Sequence, residues 1–162
     1  MTKLVIASRL HLGRASEPPS DDHIQKILDN LGGMATSLDA QNYETTVLLG
    51  VDATPKLEGY DYVDAVTYVL STMQQYQDKI VVLAVTPWGK FVPALNALVR
   101  HAKAEIKADL IMFVSAEVHA SAATIETLCR HVASDKNVIV AGAAMNGHEY
   151  AGAGQTVALT GR

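Results

Sequence analysis

The sequence predicts an α/β protein with a mostly parallel sheet, a three-layer α/β/α sandwich formed by residues 1–162 as a single domain. Three observations lead there. Strand-like runs rich in apolar residues recur at 4–7, 45–49 (opened by Thr45-Thr46), 80–85, 110–114 and 138–142, and short runs without polar alternation suit strands buried on both faces. The segments between them carry apolar residues at helical spacing. Strands alternating with such segments imply parallel strands joined by crossover helices on both faces of one sheet.

The elements follow in order. Residues 4–7 form the first strand, and a polar loop with Arg9, His11, Gly13, Arg14, Pro18 and Pro19 follows. Ser20 before Asp21 and Asp22 is a helix start: a hydroxyl cap, then negative charge at the positive end of the helix dipole. Ile24, Ile27, Leu28 and Leu31 make its apolar face, and Gly32-Gly33 is expected to weaken or end it. The second strand, 45–49, ends at Gly50-Val51-Asp52. After a loop with Pro55 and Gly59, Tyr62, Val66, Val69, Met73 and Tyr76 fall on one face of a second helix. Residues 80–85 are the third strand. Pro93 fits the first turn of the third helix, with Leu95, Leu98, Val99 and Ala102 on one face. The fourth strand is 110–114. Ser121 opens a fourth helix with Ile125, Leu128, Cys129 and Val132 inward. A fifth strand at 138–142 and, across a Gly-rich loop, a sixth at 156–159 complete the chain.

Composition excludes several function classes. The chain has 162 residues, enough for one domain with a substantial core and too few for two ordinary ones. Its net charge is -4 and it has no Lys/Arg run, which argues against nucleic acid and anionic membrane surfaces as partners. No apolar run approaches the roughly 20 residues of a membrane span, and the N-terminus lacks the apolar core and cleavage site of a signal peptide. Cytoplasmic residence is the expectation. Cys129 is the single cysteine, so no intramolecular disulfide is available, and its place on an apolar helix face reads as a small buried residue. The six histidines include no tight ligand pair, no Gly-x-Ser-x-Gly elbow is present, and neither a Walker lysine motif nor Gly-x-Gly-x-x-Gly after the first strand occurs.

In a parallel sheet of this kind, ligands bind at the carboxyl ends of the strands. The loops to read are therefore Ser8-Arg9, Val51-Asp52, residues 86–90 and residues 115–119. Asp52 is a carboxylate able to accept hydrogen bonds from a base or ribose, or else a turn cap before Pro55. Lys90 stands at the start of the third helix, where backbone amides also attract phosphate; the alternative is a solvent-facing lysine. Asn96 lies a turn inside that apolar helix start and is expected to be a buried amide, which needs partners and so either ties to neighbouring loops or faces a ligand. Ser115 and Glu117 share one side if the chain stays extended. Glu117 with His119 offers two candidate ligands for a metal or a diphosphate, fewer oxygen donors than Mg²⁺ or Mn²⁺ prefer.

The stretch from Trp88 to Val118 resembles family 2 glycosyltransferases, a GT-A family that transfers a sugar from a nucleotide-sugar donor. The resemblance rests on Gly89-Lys90, then Ala94-Leu95-Asn96-Ala97 opening a helix, then a strand followed by Ser115-Ala116-Glu117, where the family has Asp-x-Asp. Upstream, residues 48–52 resemble the strand and aspartate that hold the donor base, and residues 4–9 the opening strand whose following loop lines the nucleotide pocket. Residues 138–143 resemble the strand after the metal motif. The resemblance implies a GT-A-like domain that binds a nucleotide-diphospho-sugar, with hexosyl transfer as its reaction. It implies Ser8, Arg9, Asp52, Lys90, Asn96, Ser115 and Glu117 at the donor, and a weakly held Mg²⁺ or Mn²⁺ at Glu117 and His119. The Asp-x-Asp motif is degenerate: its first carboxylate is Ser115 and its second is one methylene longer. The gap between Gly89-Lys90 and Ala94-Leu95-Asn96 is also one residue longer than in the family. The acceptor half that supplies the family's catalytic carboxylate has little room, so no catalytic residue is assigned, and binding is expected more than efficient turnover.

Two rivals stand beside this reading. One is a non-enzymatic interaction or assembly protein that keeps the GT-A-like fold, acting as a homo-oligomer or with a partner subunit. The other is an unrelated small α/β enzyme, which fold alone does not exclude.

Overall fold

The computed structural model describes residues 1–12, 20–53, 64–138, 140–142 and, for the backbone, 156–160. Tyr62 and the Gly-rich stretch before the last strand lie outside these residues. The strands are β1 (Thr2–Arg9), β2 (Tyr43–Asp52), β3 (Ile80–Val85), β4 (Leu110–Val114), β5 (Val140–Gly142) and β6 (Thr156–Thr160); the helices are α1 (Asp21–Asp39), α2 (Ala65–Thr72), α3 (Phe91–His101) and α4 (Ala122–Ser134). They form one sheet of order β3-β2-β1-β4-β6-β5. Its first four strands are parallel, and β6 runs antiparallel between β4 and β5. The expected α/β fold with a mostly parallel sheet is thus the observed one.

Strand order places the helices. The crossovers β1–α1–β2 and β2–α2–β3 step one way across the sheet, and β3–α3–β4 steps back past β1. Right-handed crossovers then put α3 on the face opposite α1 and α2. The core divides accordingly. Leu4, Ile6, Val47, Leu49 and Met112 pack under α1, α2 and α4, while Val5, Ala7, Leu48 and Ile111 pack under α3. Alternate residues of β1 are thus buried on opposite faces, which is why its sequence shows no polar alternation.

Local signals set most helix ends. Ser20, Asp64 and Ser121 accept hydrogen bonds from the third residue beyond them as N-caps. Helix α3 runs into a single π turn, Ala102–Ile106, closed by Lys107 in the left-handed region. Two expectations are corrected. Helix α1 does not end at Gly32-Gly33 but continues to Asp39. Helix α2 ends at Thr72, so Tyr76 lies beyond it at φ 63°.

These two corrections share one cause. A Cβ built on Gly32 would sit 2.2 Å from Cγ of Tyr76. The Tyr76 carbonyl accepts from the N–H groups of Lys79 and Ile80, both at 2.9 Å, which anchors the backbone carrying that ring. Gly32 is therefore kept for close approach, and burial of α1 along its length outweighs the propensity loss of two glycines.

The end of α1 is tied to the sheet by Asp39, which accepts from the Thr45 N–H at 2.9 Å and pairs with Lys79. Partial burial pushes the Asp39 carboxyl up. The hydrogen bonds from Lys79 and Thr45, with the Lys79 charge, outweigh this and hold it below its ordinary value. The hydrogen bond to Asp39 raises Lys79 above its ordinary 10.5.

Gly32→Ala is expected to destabilise by about 1–3 kcal/mol, the range for overpacking a filled site. Gly33→Ala, whose Cβ would meet only Tyr76 Oη at 3.9 Å, is expected to be neutral or to stabilise by up to about 1 kcal/mol. Urea unfolding compares the two, and equal midpoints would refute the close-approach argument. A second expectation concerns pH. A carboxyl lowered on folding contributes stability that is present above its unfolded value and lost as pH falls through its folded one. Asp39→Asn should therefore flatten the acid limb of the stability–pH curve, read as urea midpoints between pH 6 and about pH 3; an unchanged slope would count against the pairing. Lys79 has the opposite sign, its share being lost as pH rises through its raised value.

Candidate functional site

The direction of chain travel across the sheet reverses at β1, which has β2 on one side and β4 on the other. Such a switch point leaves a crevice at the strand carboxyl ends, because the loops after the two strands leave toward opposite faces. Here the switch point lies between Arg9, which ends β1, and the segment that follows Val114.

The two strands are tied beside that point. Ser8 is fully buried, and its hydroxyl donates to the Val114 carbonyl at 2.8 Å. The structure thus gives Ser8 a role in joining β1 to β4, with its hydroxyl engaged beneath the rim. The Leu10 N–H donates to the Gly50 carbonyl at 2.9 Å, and the Ala53 N–H to the Val85 carbonyl at 3.1 Å. The rim of β1, β2 and β3 is therefore hydrogen-bonded slightly past the strand ends.

Arg9 reaches sideways across this rim. One terminal nitrogen, Nη2, donates to the Trp88 carbonyl at 3.2 Å. Its Cζ lies 4.5 Å from the Trp88 ring centroid and 5.4 Å from that of Phe91. Both distances are within cation–π range. The His11 ring stands 6.2 Å from Trp88, tilted by 39°. Among the described residues, the enclosed Nε of Arg9 has no hydrogen-bond partner and Arg9 belongs to no ion pair. A guanidinium so placed is partly stripped of water without full compensation from the protein.

The loop supplying these rings precedes α3. The Thr86–Pro87 peptide in it is cis. Lys90 is the N-cap residue of α3, is exposed, and gives the helix no side-chain cap. The first N–H groups of a helix lack intrahelical acceptors, and Pro93 has no N–H, so Phe91 and Val92 present theirs at a helix end that favours negative charge. Asn96 is exposed on α3. It is not a buried amide, because the buried face of α3 is formed by Ala94 and Leu98. Asp52 ends β2 opposite Val85, two residues beyond Gly50, the partner of Arg9. By strand alternation it shares the α3 side of the sheet with Arg9.

The segment after β4 turns instead of staying extended: the Val118 N–H donates to the Ser115 carbonyl at 3.0 Å. Ser115 Oγ still reaches Glu117, donating to Oε2 at 3.1 Å. Ala116 is buried, while Glu117 and His119 are exposed. Asn30 of α1 holds the segment by donating to the Val118 carbonyl at 2.9 Å. Glu117 and His119 line a cleft of about 710 Å³ between α1 and α4, with Lys26, Asp29 and Met34 on its opposite wall. Asp52 and Lys90 do not line it.

The expected site residues therefore fall in two groups. Arg9, Asp52 and Lys90 belong to the rim on the α3 side; Glu117 and His119 open toward α1 and α4, with Ser115 at the boundary. Among the described residues, no three His, Cys, Asp or Glu side chains come together as a metal-binding group. Glu117 and His119 are too few donors for Mg²⁺ or Mn²⁺, and one Glu117 oxygen is engaged by Ser115. Among the described residues, these two side chains alone fall short of the several oxygen donors that such a cation prefers. Cys129 is buried, and burial pushes its thiol up to about 11, so it stays protonated and unreactive near neutral pH. The sequence reading missed the joint role of Trp88 and Phe91; the signal was an arginine after the first strand and two aromatics flanking Gly89-Lys90.

No family model matches the chain, and no curated protein matches it. Among solved structures it is similar to a CMP:2-keto-3-deoxy-manno-octonic acid synthetase in complex with CTP, with TM-score 0.54 and 14% identity over 87% of this chain and 52% of that one. It also aligns with residues 1–349 of S. aureus TarS, with TM-score 0.48 and 12% identity over 93% of this chain and 38% of that one. The chain spans about half the length of the synthetase, and no described helix is long and apolar enough to cross a membrane. At these identities the likeness is one of fold alone: the synthetase shares the α/β arrangement with a mostly parallel sheet described above.

Proposed function

We propose that the chain is a single nucleotide-sugar-binding domain of family 2 glycosyltransferase type. Its ligand is a nucleotide-diphospho-sugar at the carboxyl rim of β1, β2 and β3. The observation that carries the proposal is the meeting of Arg9, Trp88 and Phe91 beside the switch point, with Asp52 on the same side of the sheet. Asp52 accepts from the base or ribose, Arg9 and Lys90 meet the diphosphate, and the uncapped start of α3 adds its amides. Hexosyl transfer and cytoplasmic residence belong to the same proposal, and no residue is assigned to the chemical step. The CTP in the similar synthetase supports the idea that this fold serves nucleotide-dependent chemistry.

A second reading has one observation in its favour. Phe91 and Val92 are 65% and 62% exposed on adjacent positions, an apolar pair suited to contact with another protein, either a second copy or a partner subunit. It makes the chain an interaction protein on the same fold.

Thermal melting with UDP, GDP, CDP and their sugars separates the two. A ligand at 100 times its dissociation constant stabilises by about 2.7 kcal/mol, which for this size corresponds to a rise of roughly 5–10 °C. Asp52→Ala should weaken the best ligand about tenfold, a difference of about 1.4 kcal/mol. No shift with any nucleotide would overturn the proposal and leave the interaction reading.

A further inference from the structure

We propose that Arg9, clamped by Trp88 and Phe91 and joined by Lys90, takes the place of a divalent cation in neutralising the diphosphate, so that nucleotide binding by this chain is metal-independent. The inference rests on the nucleotide reading above and adds to it the source of the positive charge.

It starts from a disagreement. The resemblance implies a metal at the Asp-x-Asp position, yet this chain supplies Ser115 and Glu117 there. The Ser115 hydroxyl occupies one oxygen of Glu117, and no third His, Cys, Asp or Glu among the described residues completes a set. One carboxylate with one imidazole binds Mg²⁺ or Mn²⁺ weakly, because these ions prefer several oxygen donors in a fixed geometry. The side chain of Glu117 opens on the α1/α4 cleft, whereas the charged groups suited to phosphate gather across the rim near the start of α3.

Those groups meet the electrostatic need in another way. Each phosphate in the diphosphate link of a sugar nucleotide carries one negative charge, and Arg9 and Lys90 carry one positive charge each. Neither belongs to an ion pair among the described residues. Arg9 spends one donor on the Trp88 carbonyl, and the planar guanidinium keeps others in the fork that matches phosphate oxygens. The two rings and that carbonyl hold the fork in place before a ligand arrives, so less side-chain freedom is lost on binding. The enclosed Nε without an acceptor adds a penalty that a nearby anion offsets. A lysine alone would supply charge without the fixed geometry, which is why Trp88 and Phe91 matter to the argument.

Calorimetric titration of the full chain with UDP, GDP and CDP, in EDTA and again in Mn²⁺, tests this. The best nucleotide should bind in EDTA within about threefold of its affinity in Mn²⁺. Arg9→Gln should weaken binding in EDTA about tenfold or more, and Arg9→Lys should restore only part of the loss. Trp88→Leu and Phe91→Leu keep the cation and remove its clamp, and each should weaken binding in EDTA by at least about threefold. They also keep the test decisive if Arg9→Gln fails to fold. Binding that vanishes in EDTA, or that ignores both the arginine and the ring substitutions, overturns the clamp and leaves the nucleotide reading standing. No binding in either buffer overturns both.

Discussion

The structure depends on the burial of β1 between β2 and β4. Once Leu4, Val5, Ile6 and Ala7 are covered on both faces, the strand must lie inside the sheet with parallel neighbours on both sides. The chain then has to travel outward through β2 and β3 and return over the opposite face to reach β4. That return journey is α3, and it brings the loop carrying Trp88 back over the end of β1. The contacts of Arg9 are thus a consequence of where the apolar strand sits. Ser8 shows the same dependence at finer scale: its hydroxyl is fully buried because the Val114 carbonyl lies beside it.

Much of the fold was legible in the sequence because it is local. The apolar runs located β1 to β5, and the hydroxyls of Ser20 and Ser121 located two helix starts. What escaped was set by distant partners. Gly32-Gly33 reads as a helix end until the ring of Tyr76, more than forty positions away, is seen lying against it. Tyr76 in turn reads as part of the α2 face until its positive φ removes it from the helix. The candidate site divides along the same line. Arg9, Asp52 and Lys90 were legible as residues just past strands. The hold of Trp88 and Phe91 on Arg9 joins positions nearly eighty apart, and no spacing rule encodes that. Asn96 was misjudged as a buried amide because helical periodicity gives the apolar face without saying how wide its buried part is.

The rim and the cleft differ in chemical character. The rim on the α3 side holds a guanidinium, a lysine and exposed apolar surface at Phe91 and Val92, with Asp52 as the carboxylate of β2. The cleft between α1 and α4 mixes Lys26 and two histidines with Asp29 and Glu117. An extended anion finds positive charge concentrated at the first and opposed signs at the second. This contrast in charge directs attention to the rim, since the cleft between α1 and α4 has less electrostatic direction.

The placement of β6 has a consequence for how the chain reaches its final form. Strand β5 comes earlier in sequence, yet it meets the sheet through β6, which lies between it and β4. As the polypeptide is synthesised, α4 can settle on α1 while the edges of β4 and β5 both wait for their shared neighbour. The four parallel strands form a block that can assemble first, and the final antiparallel ribbon is added as a late, separable step. The ribbon of β5 and β6 should accordingly be the first part of the sheet to open under native conditions.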